Sequence, residues 1–128
     1  MGKMILNGIE YVGGDSGHTY STTEQVIGTW IDGKPLYEKT ILCEIPSGGT
    51  RNTNHNITSL GTIVNIAAVA IGTEYRPIPF TYATTVSNSA WYAGITVDDT
   101  KIFIEAGSSF GGGHSSAYVT LQYTKTTD

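Results

Sequence analysis

Charge, cysteine and basic clusters are what this chain has least of. Only 14% of its 128 residues are Asp, Glu, Lys or Arg, against roughly 25% in an ordinary soluble domain. The seven Lys and Arg are scattered, and the formal net charge is −4. A nucleic-acid surface needs a basic face that displaces phosphate counterions, so no nucleic acid is expected as a partner. A single cysteine, Cys43, excludes an internal disulfide and a thiolate zinc cluster. Set among apolar residues of an expected strand, it reads as a buried, inert thiol. No apolar run approaches the ~20 residues of a membrane-crossing helix. Met1-Gly2-Lys3-Met4 is followed by only two apolar residues before Asn7-Gly8. That is not a secretory leader, and the expectation is a protein folded in a cytoplasm.

What is abundant is Thr, Ser and Gly, together about a third of the chain. Thr and Tyr suit pleated, half-buried surfaces, and Gly and Ser suit turns, so the composition predicts an all-β protein. Residues 1–18 read as a leader: a small hairpin around Asn7-Gly8, then the linker chemistry of Gly13-Gly14-Asp15-Ser16-Gly17. Residues 19–128 read as one head domain. Residues 25–31 form a strand, Asp32-Gly33 turns it, and residues 36–45 return. On the return Tyr37, Ile41, Cys43 and Ile45 share one face while Glu38, Thr40 and Glu44 take the other. Pro35 belongs at the strand's start or on an edge. Residues 46–56 read as a polar loop. Residues 63–71, IVNIAAVAI, read as a strand buried on both faces.

Pro77 and Pro79 push the next segment to an edge, after which Phe80, Tyr82, Thr84 and Val86 alternate and residues 86–90 turn. Residues 92–97 and 101–106 flank Asp98-Asp99-Thr100 as a hairpin. In the final strand Ala117, Val119, Leu121 and Tyr123 alternate with Tyr118, Thr120, Gln122 and Thr124. About eight strands at intervals of about ten residues, with no amphipathic helix, predict an antiparallel β-sandwich resembling a jelly roll.

Residues 107–113 are glycine-rich but lack the Lys-Ser/Thr of a phosphate loop, and no helix is expected after them. Residues 107–116 read as a mobile loop whose glycines permit close approach to a ligand, with Phe110 supplying an apolar surface and His114 a hydrogen bond. Trp91-Tyr92, after the polar Ser87-Asn88-Ser89 turn, offers an aromatic platform on which a sugar ring stacks; the competing reading has Trp91 cap the core. The candidate ligand-binding residues are therefore Trp91, Tyr92, Phe110 and His114. His18, His55 and His114 show no metal-ligand spacing, so neither metal nor cofactor is expected, and His55 reads as a loop-end histidine bonded to backbone. Asp98-Asp99 reads as turn chemistry rather than as a glycosidase pair, whose carboxyls face each other about 5–10 Å apart. With no G-x-S-x-G elbow either, no enzyme activity is expected.

Residues 21–37 carry S-T-x-E-x-V-x-G-x-W-I-D-G-K-P-L-Y, His55-Asn56-Ile57 closes a polar stretch, and the chain ends in Tyr-Thr-Lys-Thr-Thr-Asp. In these three elements the chain resembles the C-terminal head domains of tail-fibre and receptor-binding proteins from phages and prophages of Firmicutes. The resemblance spans about residues 19–128 and is strongest at the two ends. It implies a homotrimeric β-sandwich tip on a fibre stem, located in the virion tail, made in the host cytoplasm and non-catalytic. Its implied partner is a bacterial surface glycan or protein receptor. Low charge with many hydroxyls suits a neutral glycan and suits a charged polymer such as teichoic acid poorly. The competing readings are a virion trimerisation cap without receptor contact and a polysaccharide depolymerase. The Val26, Ile27, Trp30, Ile31, Leu36 and Tyr37 side chains of the signature hairpin are expected to be packing residues, with binding left to the loops.

Overall fold

A computed structural model describes residues 3–6, 9–12, 18–81 and 91–128 of the chain. The linker expected at residues 13–17, the alternation of Tyr82, Thr84 and Val86, and the turn at residues 86–90 lie outside the described residues. Strands β1 (Lys3–Leu6) and β2 (Ile9–Val12) pair antiparallel, with Leu6 opposite Ile9. The rest is an antiparallel β-sandwich, as the composition and strand spacing predict.

In chain order its elements are β3 (Gln25–Thr29), β4 (Pro35–Glu44), β5 (Gly49–Asn54), β6 (Leu60–Gly72), β7 (Arg76–Ile78), β8 (Phe80–Thr81), β9 (Tyr92–Val97), β10 (Lys101–Ala106), the short helix α1 (Ser108–Gly113) and β11 (His114–Lys125). One sheet has five strands in the order β3-β4-β11-β6-β7, the other four in the order β5-β10-β9-β8. Both β4–β5 and β10–β11 cross from one sheet to the other. The pairs β4–β11 and β5–β10 therefore lie in different sheets, which is the folded-over double ribbon of a jelly roll.

The core lies between the sheets and follows from period-2 alternation. Ala117, Val119, Leu121 and Tyr123 of β11 are fully buried. In register beside them stand Cys43 and Ile41 of β4, and Ala70 and Ala68 of β6. Ile102, Ile104 and Ala106 of β10 and Ala93 of β9 close the core from the other sheet. Burying each Val, Leu or Ile contributes about 1.5–3 kcal/mol. Burial also raises the Cys43 thiol above its ordinary pKa, consistent with an inert packing role.

His55 is buried and bonded to backbone, as expected. It accepts the Ile57 N–H at Nδ1 (3.2 Å) and donates from Nε2 to the Asp98 carbonyl (2.9 Å). The proton therefore sits on Nε2, and the ring staples the β5–β6 connection to the β9–β10 turn. That turn is an Asx turn: Asp98 Oδ1 accepts the N–H groups of Thr100 (2.9 Å) and Lys101 (2.7 Å). Pro35 opens β4, and β7 and β8 are edge strands either side of Ile78-Pro79, in line with the proline rules.

Five expectations are corrected. Residues 49–54 form a strand rather than part of a loop. It is a sheet edge, almost wholly exposed, and its polar GTRNTN sequence carries no apolar alternation to betray it. β6 is not buried on both faces: Asn65, Ala67 and Val69 are exposed on its outer side. Glu38 and Thr40, assigned to the open face of β4, are buried: residues 18–22 run beside β4, and the side chains of His18 and Gln122 meet Glu38 while Thr120 meets Thr40. In the signature hairpin Ile31 is 90% exposed and Val26 is exposed too, leaving Ile27, Trp30, Leu36 and Tyr37 half-buried as its packing residues.

The fifth correction concerns the glycine-rich segment 107–116, which is the packed helix α1 followed by the start of β11. Glycine here serves contact between chain segments at two points. A Cβ on Gly111 would fall 1.8 Å from the Pro46 carbonyl oxygen, and one on Gly72 would fall 2.1 Å from that of Gly113. Gly112 by contrast has open space where a Cβ would go.

Gly111→Ala therefore lowers stability by about 1–3 kcal/mol or more through backbone displacement, whereas Gly112→Ala is neutral or slightly stabilising; thermal melts of the two variants separate these outcomes. The Asx-turn amides hold the Asp98 carboxyl below its ordinary pKa. A depressed folded pKa contributes stability that is present above the unfolded carboxylate value and lost as pH falls through the folded one. Asp98→Asn keeps an acceptor oxygen and no proton equilibrium, so it flattens this part of the acid limb in urea melts run from about pH 5 downward.

Candidate functional site

The outward residues of the five-stranded sheet form three cross-strand rows. Tyr118 of β11 stands between Leu42 of β4 and Val69 of β6, Thr120 between Thr40 and Ala67, and Gln122 between Glu38 and Asn65. The face thus grades from apolar, through hydroxyl, to amide and carboxylate. The polar row is tied together: Asn65 Nδ2 donates to Gln122 Oε1 (3.4 Å), and Gln122 Nε2 donates to Glu38 Oε2 (3.0 Å).

Residues 18–22 form a strap along this face. Thr40 N–H donates to the Ser21 carbonyl (2.9 Å), and the Gln25 amide donates to the Thr19 carbonyl. At the strap's start His18 Nε2 meets Glu38 Oε1 at 2.5 Å. Glu38 is 1% exposed, so both its oxygens are satisfied, one by His18 and the other by Gln122, which is the condition for a tolerable buried carboxylate. The Tyr20 ring stacks on the His18 ring with centroids 4.4 Å apart. A chain of contacts from the buried Glu38 through His18 thus positions a tyrosine that is itself 64% exposed.

Between strap and sheet lies a groove of about 540 Å³, walled by Tyr20, Ser21 and Thr22 and floored by Thr40, Tyr118, Thr120 and residues 67–69. That volume is within the range of small-ligand sites, about 300–1,000 Å³. None of its lining residues is charged. Thr40 Oγ1 and Thr120 Oγ1 share one hydrogen bond of 2.9 Å, leaving the pair one proton and spare lone pairs to offer a ligand. Tyr118, 49% exposed, presents its ring beside them.

The structure does not bring the four sequence-derived candidates to this groove. Phe110 is 0% exposed in the core, with Phe80 at 5.5 Å and His114 at 4.5 Å between ring centroids. His114 is 3% exposed, and its Nδ1 bonds the Phe110 carbonyl at 3.0 Å. Neither ring offers a surface to a ligand, which corrects the reading of that segment as a binding loop. Trp91 is half-buried against the core with the Arg76 guanidinium 5.6 Å from its ring centre, the arrangement of a capping residue. Tyr92 is half-buried and pairs with Thr81 in the four-stranded sheet.

Tyr20, Thr40, Tyr118 and Thr120 are the groove residues that the sequence reading left aside. Tyr118 and Thr120 occupy the positions of β11 opposite in phase to the core, next to an outward Leu42. A large apolar residue at an outward position in the middle of a sheet was the available signal. Among the described residues no cluster of three His, Cys, Asp or Glu side chains is placed to hold a metal. No family model, curated protein or solved structure matches the chain.

Because the strap is held at its start by one side-chain contact, His18→Ala speeds hydrogen exchange of the Thr40 amide by about tenfold while core amides on β11 keep their protection. Equal acceleration of both sets would mean that His18 supports the whole sandwich rather than the strap.

Proposed function

We propose that the chain is the receptor-binding head of a phage or prophage tail fibre, a non-catalytic homotrimeric module that attaches to the surface of a Gram-positive host. The single observation that carries this is the groove between strap and sheet, which is lined without charged side chains and holds Tyr20 and Tyr118. Several of the described carboxylates are engaged in structural contacts. Glu24 takes Tyr123 and Lys125, Glu38 takes His18 and Gln122, Glu44 takes Arg51, and Asp98 is spent on its turn.

The resemblance gains a physical reason, because its two ends meet. Tyr37 pairs with Tyr123, and Glu24 Oε1 accepts the Tyr123 hydroxyl at 2.5 Å. Glu24 also holds Lys125 at 2.7 Å, and Tyr37 donates to Asp128 at 2.6 Å. Burial and the Glu24 carboxylate both push the Tyr123 phenol well above its ordinary pKa, and the Asp128 hydrogen bond raises Tyr37. The two segments carrying the resemblance are one clasp, so a match at both is a match to one structural unit. The exposed Val26 of edge strand β3 and Ile31 in the turn after it supply an apolar contact for a neighbouring subunit, and covering that edge removes a site of strand-to-strand aggregation. Three weak sites on one tip gain avidity from effective concentration.

The purified, fluorescently labelled chain is expected to decorate Firmicutes host cells and to slow phage adsorption, and light scattering is expected to give three times the 13.7 kDa chain mass. Absence of cell binding from a chain that still trimerises a fused stem would replace this reading with the structural cap. Host-polysaccharide cleavage that one carboxylate substitution abolishes would replace it with the depolymerase.

A further inference from the structure

We infer that the groove between the strap and the five-stranded sheet is a binding site for a neutral glycan, with Tyr20 and Tyr118 as its stacking residues. This rests on the attachment reading above and assigns it a site. The chemistry of the occupant follows from the lining. A groove without charged side chains, on a chain of net charge −4, gives no counterion to a phosphorylated or acidic polymer. Its wall carries the exposed Tyr20 ring, and its floor carries the exposed Tyr118 ring with the Thr40–Thr120 hydroxyl pair beside small Ala67.

A pyranose is the ligand with matching halves: a face of C–H bonds that packs on an aromatic ring, and an edge of hydroxyls that exchange hydrogen bonds with threonine and amide groups. The rows of the sheet arrange these halves in order. The apolar row lies at Tyr118, the hydroxyl row at Thr120, and the amides of Gln122 and Asn65 lie one row further. A glycan longer than one residue would run along β11 from the first row towards the third.

The wall is built in advance of any ligand. Tyr20 is stacked on His18, which is held by the buried Glu38, so little ordering of that ring remains to be done on binding. The groove is a concavity of a size that suits a small ligand.

The test uses the full chain against a panel of neutral oligosaccharides containing glucose, galactose, rhamnose or N-acetylhexosamines, read by saturation-transfer NMR and titration, alongside host-cell binding. Tyr118→Ala and Tyr20→Ala are expected to weaken binding to the recognised sugar tenfold or more, and Thr120→Val several-fold. Tyr75→Ala, at an exposed tyrosine outside the groove, leaves it unchanged. Thermal midpoints of all four should match the parent chain, because these side chains lie outside the core. If the parent binds cells and the groove variants bind equally well, the groove assignment is wrong and the attachment reading stands. If the parent binds neither cells nor any sugar, both fail. A self-associated mass that Tyr118→Ala reduces would make the groove an interface between copies and overturn the glycan assignment.

Discussion

The pairing of β4 with β11 is the constraint on which the rest of this molecule depends. It joins Tyr37 through Glu44 to Tyr123 through Ser116 in one antiparallel ladder. β4 continues into β5, and β10 leads through α1 into β11. Once the first pair forms, therefore, the second pair, β5 with β10, is brought together in the opposite sheet. The helix can make this connection only because Gly111 lets it approach Pro46, at the point where β4 leaves its sheet. At the far end of the ladder Glu24, Tyr37, Tyr123, Lys125 and Asp128 close a polar clasp in which every buried polar atom has a partner. The contact joins residues about eighty positions apart, so its cost in chain entropy must be offset by the apolar area that β11 buries between β4 and β6.

The same ladder creates the groove. A strand at the centre of a sheet has two faces, and β11 uses them for different ends. Its Ala117, Val119, Leu121 and Tyr123 are inside, while Tyr118, Thr120 and Gln122 stand on the outer face. β4 behaves alike, with Cys43 and Ile41 in and Leu42 and Thr40 out. What distinguishes this outer face from an ordinary solvated one is the strap, which rests on a buried carboxylate. Glu38 could not be buried in this way without both His18 and Gln122, and with them it anchors the wall of the groove. The carboxylate is thus a positioning group whose effect reaches Tyr20 through one ring stack.

Much of the fold was legible because it rests on local alternation. Residues 92–97, 101–106 and 117–123 show inward and outward phases cleanly, the Asx turn at Asp98 announces itself by residue type, and Pro35, Pro77 and Pro79 fall where a missing N–H is harmless. His55 was legible as a backbone-bonded histidine for the same local reason. What failed was whatever depended on a third body. Alternation gives the two faces of a strand but does not say what covers each. Glu38 and Thr40 were read as open to water because the strap that runs beside β4 lies some twenty residues earlier in the chain. Val69 was read as packed because nothing local says that the outer face of β6 remains open. β5 has no apolar residue to alternate, and its existence follows from β10 needing a neighbour. The glycines of α1 carry two meanings, mobility and close approach, and only the proximity of Pro46 chooses between them.

That choice moves the working surface. If the glycine-rich segment were a free loop, Phe110 and His114 would be its tools, and recognition would be separate from the signature hairpin. With both rings inside the core, Tyr20 and Tyr118 are, among the described residues, the exposed aromatics that line the groove. On the proposed reading, scaffold and recognition are interleaved rather than divided between hairpin and loops. On β11 they occupy alternate residues, and this has a mechanical consequence. Because the inward set fills the core, an outward residue such as Tyr118 can change without loosening the sandwich, whereas Gln122 stays to satisfy the buried Glu38. A binding face written on the off-phase of a core strand combines rigidity with freedom to vary, which a mobile loop cannot do.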